Sequence, residues 1–499
     1  MAVPVRVLPW ALVLGVALVS ERSIEISGDQ PSRDPDETPT RSTPAQIGDA
    51  AKPALDLADL IKAVETKGGT LTACVLNVET GAVIAEHNAH TPLNPASNQK
   101  VLTAAFALDR LGADHHFVSG LYGDLRDGHV ASMTLRGNWD PTLDASALRS
   151  MVHNARLKGV RTVGSIVVDQ AGFSGPFTPP AFDQQPNEWA AFRAPIAPTS
   201  YERNTVTLFV SAAADVKSAA SVVVHPSGFV TLSGGVTTSP EGDPERLGLT
   251  LETKGTILEG RLGGSIPVGA GPVPVTKRVD DPSLLAGYAL RAFLTEQGIT
   301  TKGDITASGG KKRGPALAVK SSEAVGVLLA NLGKDSDNFT AEMLFLAAGA
   351  PKDAAPSVDA SVKAAQAALS ARGIPKEEWT IVNGSGLFQG NKASAFALAS
   401  LLRAEVRSQK TAPEFLAHLA VAGVDGTMKN RMTTLADSRS VRAKTGTLAD
   451  TVALSGVVMG PSGAPRFAFA FVTSGVKGRT AQAKDAIDRA VLSLARSTP

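Results

Sequence analysis

The chain has 499 residues, 43% apolar and 19% charged, with a formal net charge of +2. That length suffices for about two or three domains, and the composition excludes a chain too polar to bury cores. The small net charge gives no bulk attraction for nucleic acid, the single cysteine excludes an intrachain disulfide or thiolate cluster, and eight scattered histidines without H-E-x-x-H predict no metal and no cofactor.

At the N-terminus, Arg6 precedes an almost unbroken apolar run, Val7–Val19. That length matches a signal-peptide core and is short for a membrane-spanning helix. Ala17-Leu18-Val19-Ser20 is not a clean A-x-A cleavage site, so an uncleaved anchor, and with it N-terminal membrane association, stays open. No cysteine follows, which excludes lipid modification there. Residues 1–27 are expected to be a signal segment or anchor. Residues 28–53, rich in Pro, Ser, Thr and Asp, read as a linker to an extracytoplasmic protein.

A first helix is predicted over Leu55–Lys67. Strands follow at Leu71–Val78 and Ala82–Glu86, joined by a turn at Glu79-Thr80-Gly81. Cys74, inside the first strand, reads as a small buried residue. Thr91–Ala96 forms a turn, and Val101, Leu102, Ala105, Leu108 and Leu111 carry helical spacing over 98–111. From 119 to 312 short β-type runs alternate with Gly, Pro and Asp turns: Phe117–Tyr122, Ala131–Arg136, Ser165–Val168, Thr205–Val210 and Ser221–Val224, with helices at Asp144–Leu157 and Pro282–Gln297. After Gly314, helices are predicted at Val325–Asn331, Thr340–Ala347, Ala360–Arg372 and Ala395–Val406. A terminal hairpin, Thr451–Met459 and Arg466–Thr473, and a closing helix, Ala481–Ala495, complete the chain. The fold class is therefore α+β. One antiparallel sheet is built from both chain ends (54–118 and 313–499), and a β-rich region (119–312) is inserted into it.

Three short motifs carry the chemistry. Ser97-Asn98-Gln99-Lys100 places Ser97 in the first turn of an apolar helix and Lys100 one turn further on. A serine hydroxyl is a weak nucleophile until a base takes its proton. Lys100 serves as that base if burial or a neighbouring cation, such as Lys444, lowers its pKa. Ser308-Gly309-Gly310-Lys311 has the same spacing, but in a glycine pair beside a basic cluster, so Ser308 is not expected to react. Ser336-Asp337-Asn338 lies between two predicted helices. There Ser336 would relay a proton and Asn338 would hold a substrate amide, although alone the motif reads as a helix cap. Lys444-Thr445-Gly446-Thr447 is predicted on a strand. Gly446 would let a ligand backbone approach closely, Lys444, Thr445 and Thr447 would bind a terminal carboxylate, and the N–H groups of Ser97 and Thr447 would form an oxyanion hole.

S-x-x-K, S-D-N and K-T-G in this order form the set found in class A β-lactamases and penicillin-binding proteins. The chain resembles the low-molecular-mass class C penicillin-binding proteins, which are D-alanyl-D-alanine carboxypeptidases/endopeptidases of the bacterial cell wall. Pro95–Lys100, Gly137-Asn138-Trp139-Asp140-Pro141-Thr142-Leu143, Asn383-Gly384-Ser385-Gly386-Leu387, Gly423–Thr427 and Lys444–Leu448 carry the likeness. Trp139 replaces a usual small residue, and Asn383 a usual Asp. The 239 positions from Ser97 to Ser336 match the family's long insertion, which class A β-lactamases lack. The resemblance covers roughly 55 to 495.

It implies a penicilloyl-serine transferase fold and a site of Ser97, Lys100, Ser336, Asn338 and Lys444. It also implies an acyl-enzyme, peptidoglycan peptides ending in D-Ala-D-Ala as substrates, and β-lactams as covalent inhibitors. From the same resemblance, Phe192 and Glu188, or Asn187 in place of Glu188, would meet the free end of the stem peptide's third residue. A surface acid beside a core aromatic is the plain alternative. A β-lactamase or esterase on this fold, or a non-catalytic wall-binding relative, are the competing functions. No dedicated deacylating carboxylate supports the former, and the intact motifs oppose the latter.

Overall fold

The computed structural model describes residues 55–497 apart from 174, 186–187, 310–313 and 352–354. The expected signal segment and linker (1–53), Asn187 and Lys311 lie outside the described residues.

The strand sequences explain the central sheet. In Pro465–Ser474, Phe467, Phe469 and Phe471 alternate with Ala468, Ala470 and Val472, and all are at most 1% exposed. The phenylalanines pack into one cluster with the helices Ala58–Glu65 and Thr480–Arg496. The small residues join another cluster with the helices Gln99–Arg110 and Ala395–Val406. A strand buried on both faces needs no polar alternation, so its sequence is a near-continuous apolar run. Six strands lie in the order Ala420–Val421, Val441–Leu448, Thr451–Met459, Pro465–Ser474, Thr70–Asn77 and Val83–His87. All neighbours are antiparallel. Thr70 pairs with Ser474 and Asn77 with Phe467, so the two chain ends share one sheet.

A second sheet contains the strands His116–Tyr122, His129–Arg136, Thr162–Asp169, Thr300–Thr301, Ile305–Ser308 and Ala316–Ala324. Its outermost pair, His116–Tyr122 with Ala316–Ala324, brings residues about 200 positions apart into register, with Gly120 opposite Val319. The helices Ala145–Leu157 and Pro282–Glu296 share its core. Asp144 caps the first of these through Ala147 N–H, at 2.7 Å.

Two three-stranded sheets complete this region. Four of their strands, Val230–Ser239, Arg246–Lys254, Ile257–Pro267 and Val273–Arg278, were not expected from the sequence. Glycines 234, 235, 248, 260, 263 and 264 dilute the apolar signal of the first three, and Pro274 interrupts the fourth, yet Leu247, Leu249 and Leu251 keep the period of two that marks a strand. The helix Ala412–His418 was also unexpected. Pro413 reads as a breaker but sits in the first turn, where proline is tolerated.

Candidate active site

The turn carrying Ser97 is built under constraint. Ala96 has a left-handed φ of 47°, and its N–H donates to Asn94 Oδ1 at 2.9 Å. A 3-10 turn, Ala96–Asn98, then feeds the helix Gln99–Arg110, whose residues Gln99–Leu108 are all buried. Trp379 Nε1 donates to Gln99 Oε1 at 2.8 Å, and Thr103 Oγ1 to the Gly384 carbonyl at 2.6 Å, so the helix cannot rotate freely. Ser97 is half-buried and reachable, while Lys100 beneath it is 0% exposed.

Lys100 Nζ reaches Ser97 Oγ at 3.0 Å, Asn338 Oδ1 at 2.8 Å and the Ser385 carbonyl at 2.7 Å. Burial lowers its pKa from 10.5 to about 7, against the opposing charge of Glu342. Of the two causes the sequence offers, burial or a neighbouring cation such as Lys444, burial is the one that lowers it. A neutral Lys100 has a lone pair facing the Ser97 hydroxyl, which is the geometry of general-base activation.

Lys444, also 0% exposed, lies on the strand Val441–Leu448 and donates to Ser336 Oγ at 2.8 Å and to the Thr445 carbonyl at 2.7 Å. Burial and then the charge of Lys100 hold its pKa well below the ordinary lysine range. A charged Lys100 thus opposes protonation of Lys444.

Ser336, with φ 58°, lies in the loop ahead of the helix Asn338–Gly349. Asp337 caps that helix by accepting from Thr340 N–H at 2.7 Å. The motif is thus a helix cap as well as a bridge between the lysines: Ser336 meets Lys444 and Asn338 meets Lys100. Thr445 Oγ1 donates to Thr427 Oγ1 at 2.8 Å. Thr427 is held in turn by its N–H to the Lys334 carbonyl at 2.9 Å, and Lys334 pairs with Asp425 at 2.6 Å. The 423–427 segment therefore supports the 444–447 strand. Thr447 is exposed on that strand.

Gly446 has a structural demand of its own. A Cβ there would lie 2.8 Å from both Asn98 Nδ2 and the Pro95 carbonyl. The protein's own nucleophile turn comes close there, because the strand packs directly on residues 95–98.

Two further residues support the site: Glu342, which nothing local in the sequence marks, and Asn383, the first residue of the 383–387 segment. Glu342, 2% exposed, accepts from the N–H groups of Gly384 and Ser385 at 3.0 and 2.7 Å. It thereby holds the Ser385 carbonyl on Lys100. In sequence it reads as an ordinary helix acid. Asn383 uses its whole amide: Nδ2 donates to the carbonyls of Pro180 (3.0 Å) and Leu387 (3.2 Å), and Oδ1 accepts from Gly386 N–H (2.9 Å) and Asn391 Nδ2 (2.8 Å). A carboxylate there would lack the two donors. Trp139 is 5% exposed, with φ 69°, and meets the Phe173 ring edge-on.

The structure brings Phe192 to the cluster through its backbone, since its carbonyl accepts from Asn338 Nδ2 at 3.1 Å; the residue is 52% exposed. Glu188 is four positions away; its carboxylate accepts from Ala190 N–H at 2.9 Å, and its carbonyl takes Arg193 and Arg278 at 2.9 Å each. Ser308 ends a strand paired in parallel with Thr162–Asp169, rather than opening a helix. Cys74 is buried with its thiol pushed up to about 12 by desolvation, as an unreactive strand residue.

A serine on a buried lysine, beside a second serine–lysine pair and the edge of an antiparallel sheet clothed by helices on both faces, defines the fold of a penicilloyl-serine transferase. The solved structure of penicillin binding protein 4 from Haemophilus influenzae has this fold, with a TM-score of 0.75 at 22% identity, over 89% of this chain and 100% of that one. A predatory peptidoglycan endopeptidase from Bdellovibrio bacteriovorus is similar over 86% of this chain and 92% of its own, with a TM-score of 0.50 and 16% identity. The chain belongs to the D-Ala-D-Ala carboxypeptidase 3 (S13) family, whose model matches residues 54–497. It is 31% identical over 440 residues to a D-alanyl-D-alanine carboxypeptidase of Actinomadura sp., covering 85% of this chain and 81% of that protein.

Proposed function

We infer that the protein is a serine-type D-Ala-D-Ala carboxypeptidase, with endopeptidase activity open to the same site, acting on peptidoglycan stem peptides outside the cytoplasm. The observation that carries this reading is the 3.0 Å contact between Ser97 Oγ and the buried Lys100 Nζ. Neutral Lys100 takes the hydroxyl proton as Ser97 Oγ attacks the carbonyl carbon of the penultimate D-Ala. The N–H groups of Ser97 and Thr447 receive the oxyanion. The C–N bond then breaks. The proton taken up by Lys100 is delivered to the leaving nitrogen through Ser336, which is hydrogen-bonded to Lys444, so D-Ala departs from an ester on Ser97 and Lys100 is neutral once more. Water attacks that ester with Lys100 again as base, restoring the serine.

Lys444, Thr445 and Thr447 face the substrate's terminal carboxylate, and Asn338 its amide. The carboxylate restores the opposite charge that burial denies Lys444, so binding raises its pKa. Phe192 lies at the mouth of the site beside Asn338, and Glu188 is the candidate partner for an ammonium group on the third residue. The engaged carboxylate of Glu188 makes Phe192 the better supported of the two. A β-lactam presents a strained amide beside a carboxylate, so Ser97 opens it by the same attack; its leaving nitrogen stays tethered to the acyl group, and the acyl-enzyme persists. The H. influenzae relative has been solved with a β-lactam. The catalytic unit is read as 54–118 with 313–499, the inserted unit as 119–312, and the N-terminal segment as a signal or anchor.

Intact mass after incubation with penicillin, and separately with a peptide ending in D-Ala-D-Ala, tests the reading. A one-to-one penicilloyl adduct and loss of one alanine from the peptide are expected. Ser97→Ala removes the adduct and Ser308→Ala keeps it. An adduct that persists in Ser97→Ala and maps elsewhere overturns the assignment.

A further inference from the structure

Three consecutive non-glycine residues of the inserted region, Glu202, Arg203 and Asn204, hold left-handed φ angles of 46°, 57° and 54°. Residues with a Cβ visit that region singly, at a cost of about 1–2 kcal/mol each. A run of three persists only where its surroundings over-determine it, and such sites cluster where function needs them.

The surroundings here do so. Glu202 N–H donates to the Leu143 carbonyl at 3.0 Å, and its carboxylate accepts from Ala145 N–H at 2.8 Å. Asn204, 0% exposed, accepts from Tyr201 N–H at 3.2 Å and donates to the Pro195 carbonyl and Ser200 Oγ at 2.9 Å each. Between these two fixed residues, Arg203 extends its guanidinium to Asp337 Oδ2, forming an ion pair, and stands 5.9 Å from the centre of the Phe339 ring.

Asp337 is the middle residue of the 336–338 loop. Its other oxygen, Oδ1, already caps the following helix at Thr340 N–H. With both oxygens held, the carboxylate has one orientation. Its neighbours on either side, Ser336 and Asn338, are the groups that meet Lys444 and Lys100. The Phe192 carbonyl on Asn338 Nδ2 is a second hold from the same inserted region.

We propose that Arg203 is a positioning residue for the acyl-transfer site. It locks Asp337 so that Asn338 Oδ1 stays on Lys100 and Ser336 Oγ on Lys444. The inserted region thereby completes the catalytic loop. This role rests on the serine acyl-transfer reading above. Asp337 is only 13% exposed but Arg203 is 49% exposed, so solvent screens the pair and the effect is modest.

The test is the second-order rate of acylation of the full chain by a fluorescent penicillin, in wild type, R203M, R203K, D337N and the R203M/D337N double variant. Asn retains the cap on Thr340, so D337N removes the ion pair alone. R203M is expected to acylate about 2- to 5-fold more slowly. R203K should recover part of the loss, and the double variant should be no slower than the slower single one. With a D-Ala-D-Ala peptide, kcat should fall while KM holds, a split that general destabilisation does not produce. R149Q, which breaks an exposed ion pair with Glu296 elsewhere in the inserted region, should acylate as wild type does. Wild-type rates in R203M, or losses that multiply in the double variant, overturn the proposal. If R203M fails to fold, wild-type rates in both R203K and D337N overturn it. Failure of the wild-type chain to acylate overturns the reading of the site and this role together.

Discussion

Lys100 makes the residue scale concrete. Its ammonium form has three acceptors, yet burial brings its pKa down to about 7. The neutral, base-competent fraction therefore grows as pH rises through about 7. Acylation by penicillin should climb across that range and level off above it, and a rate flat from about pH 5 to 9 would refute the base role. Lys444 is tested by truncation. Lys444→Ala removes the charged contact to the terminal carboxylate, a loss of about 1.5–3 kcal/mol, or 10- to 100-fold in acylation. The loss should shrink for a peptide whose terminal carboxylate is amidated; equal losses on both peptides would reject the carboxylate role. These residues were legible because their spacing is local: three positions for Ser97 and Lys100, one tripeptide for each other motif. Glu342 was not. Its partners, Gly384 and Ser385, lie more than 40 positions away, and only the loop laid over it turns a helix glutamate into a buried support.

At the scale of elements, the site is a junction of three pieces: the 95–100 turn, the 336–338 loop and the 441–448 strand. The strand and the turn meet at Gly446, where two atoms stand 2.8 Å from any added Cβ, one of them backbone. Gly446→Ala must therefore push the strand off the nucleophile turn. Acylation should drop by at least about 10-fold, and the melting temperature should fall as well, since overpacking a tight contact costs roughly 1–3 kcal/mol. Wild-type acylation by Gly446→Ala would mean that the strand has room to move. The elements themselves were largely legible. The helix Ala395–Val406 and the strand Thr451–Met459 stand where apolar spacing puts them. The strands from 230 to 267 escaped because glycines interrupt them, and Val273–Arg278 because Pro274 reads against a strand.

For the molecule as a whole, three buried cations-in-waiting share one sign. His418 is 1% exposed, bonded at Nδ1 to the Phe415 carbonyl, and burial pushes it from 6.5 to about 3. In the unfolded chain it takes up a proton below its ordinary pKa, while the folded chain refuses one. Stability from this group is thus lost progressively as pH falls from about 6.5 to 3. Lys100 and Lys444, both lowered, likewise leave the unfolded state binding more protons above their folded pKa values, so their contributions rise with pH. Glu342, whose carboxyl burial raises, works the other way just above 4.5. Unfolding by denaturant should show stability rising between about pH 5 and 8. His418→Asn should flatten the acid part of that slope; an unchanged slope would remove His418 as its source.

The sequence by itself determined the reaction class and most of the sheet. Nucleophile and base share one helix turn, and strands buried on both faces announce themselves as apolar runs. Both signals are local, set by backbone geometry within a few residues. What only the tertiary structure decided is how distant segments converge: Glu342 on the 383–387 loop, Gly446 on the nucleophile turn, and the left-handed turn of the inserted region that carries Arg203 to Asp337. Those contacts join residues tens to hundreds of positions apart. A glutamate, a glycine or an arginine looks the same in sequence whether it faces water or a partner, and only packing chooses between them.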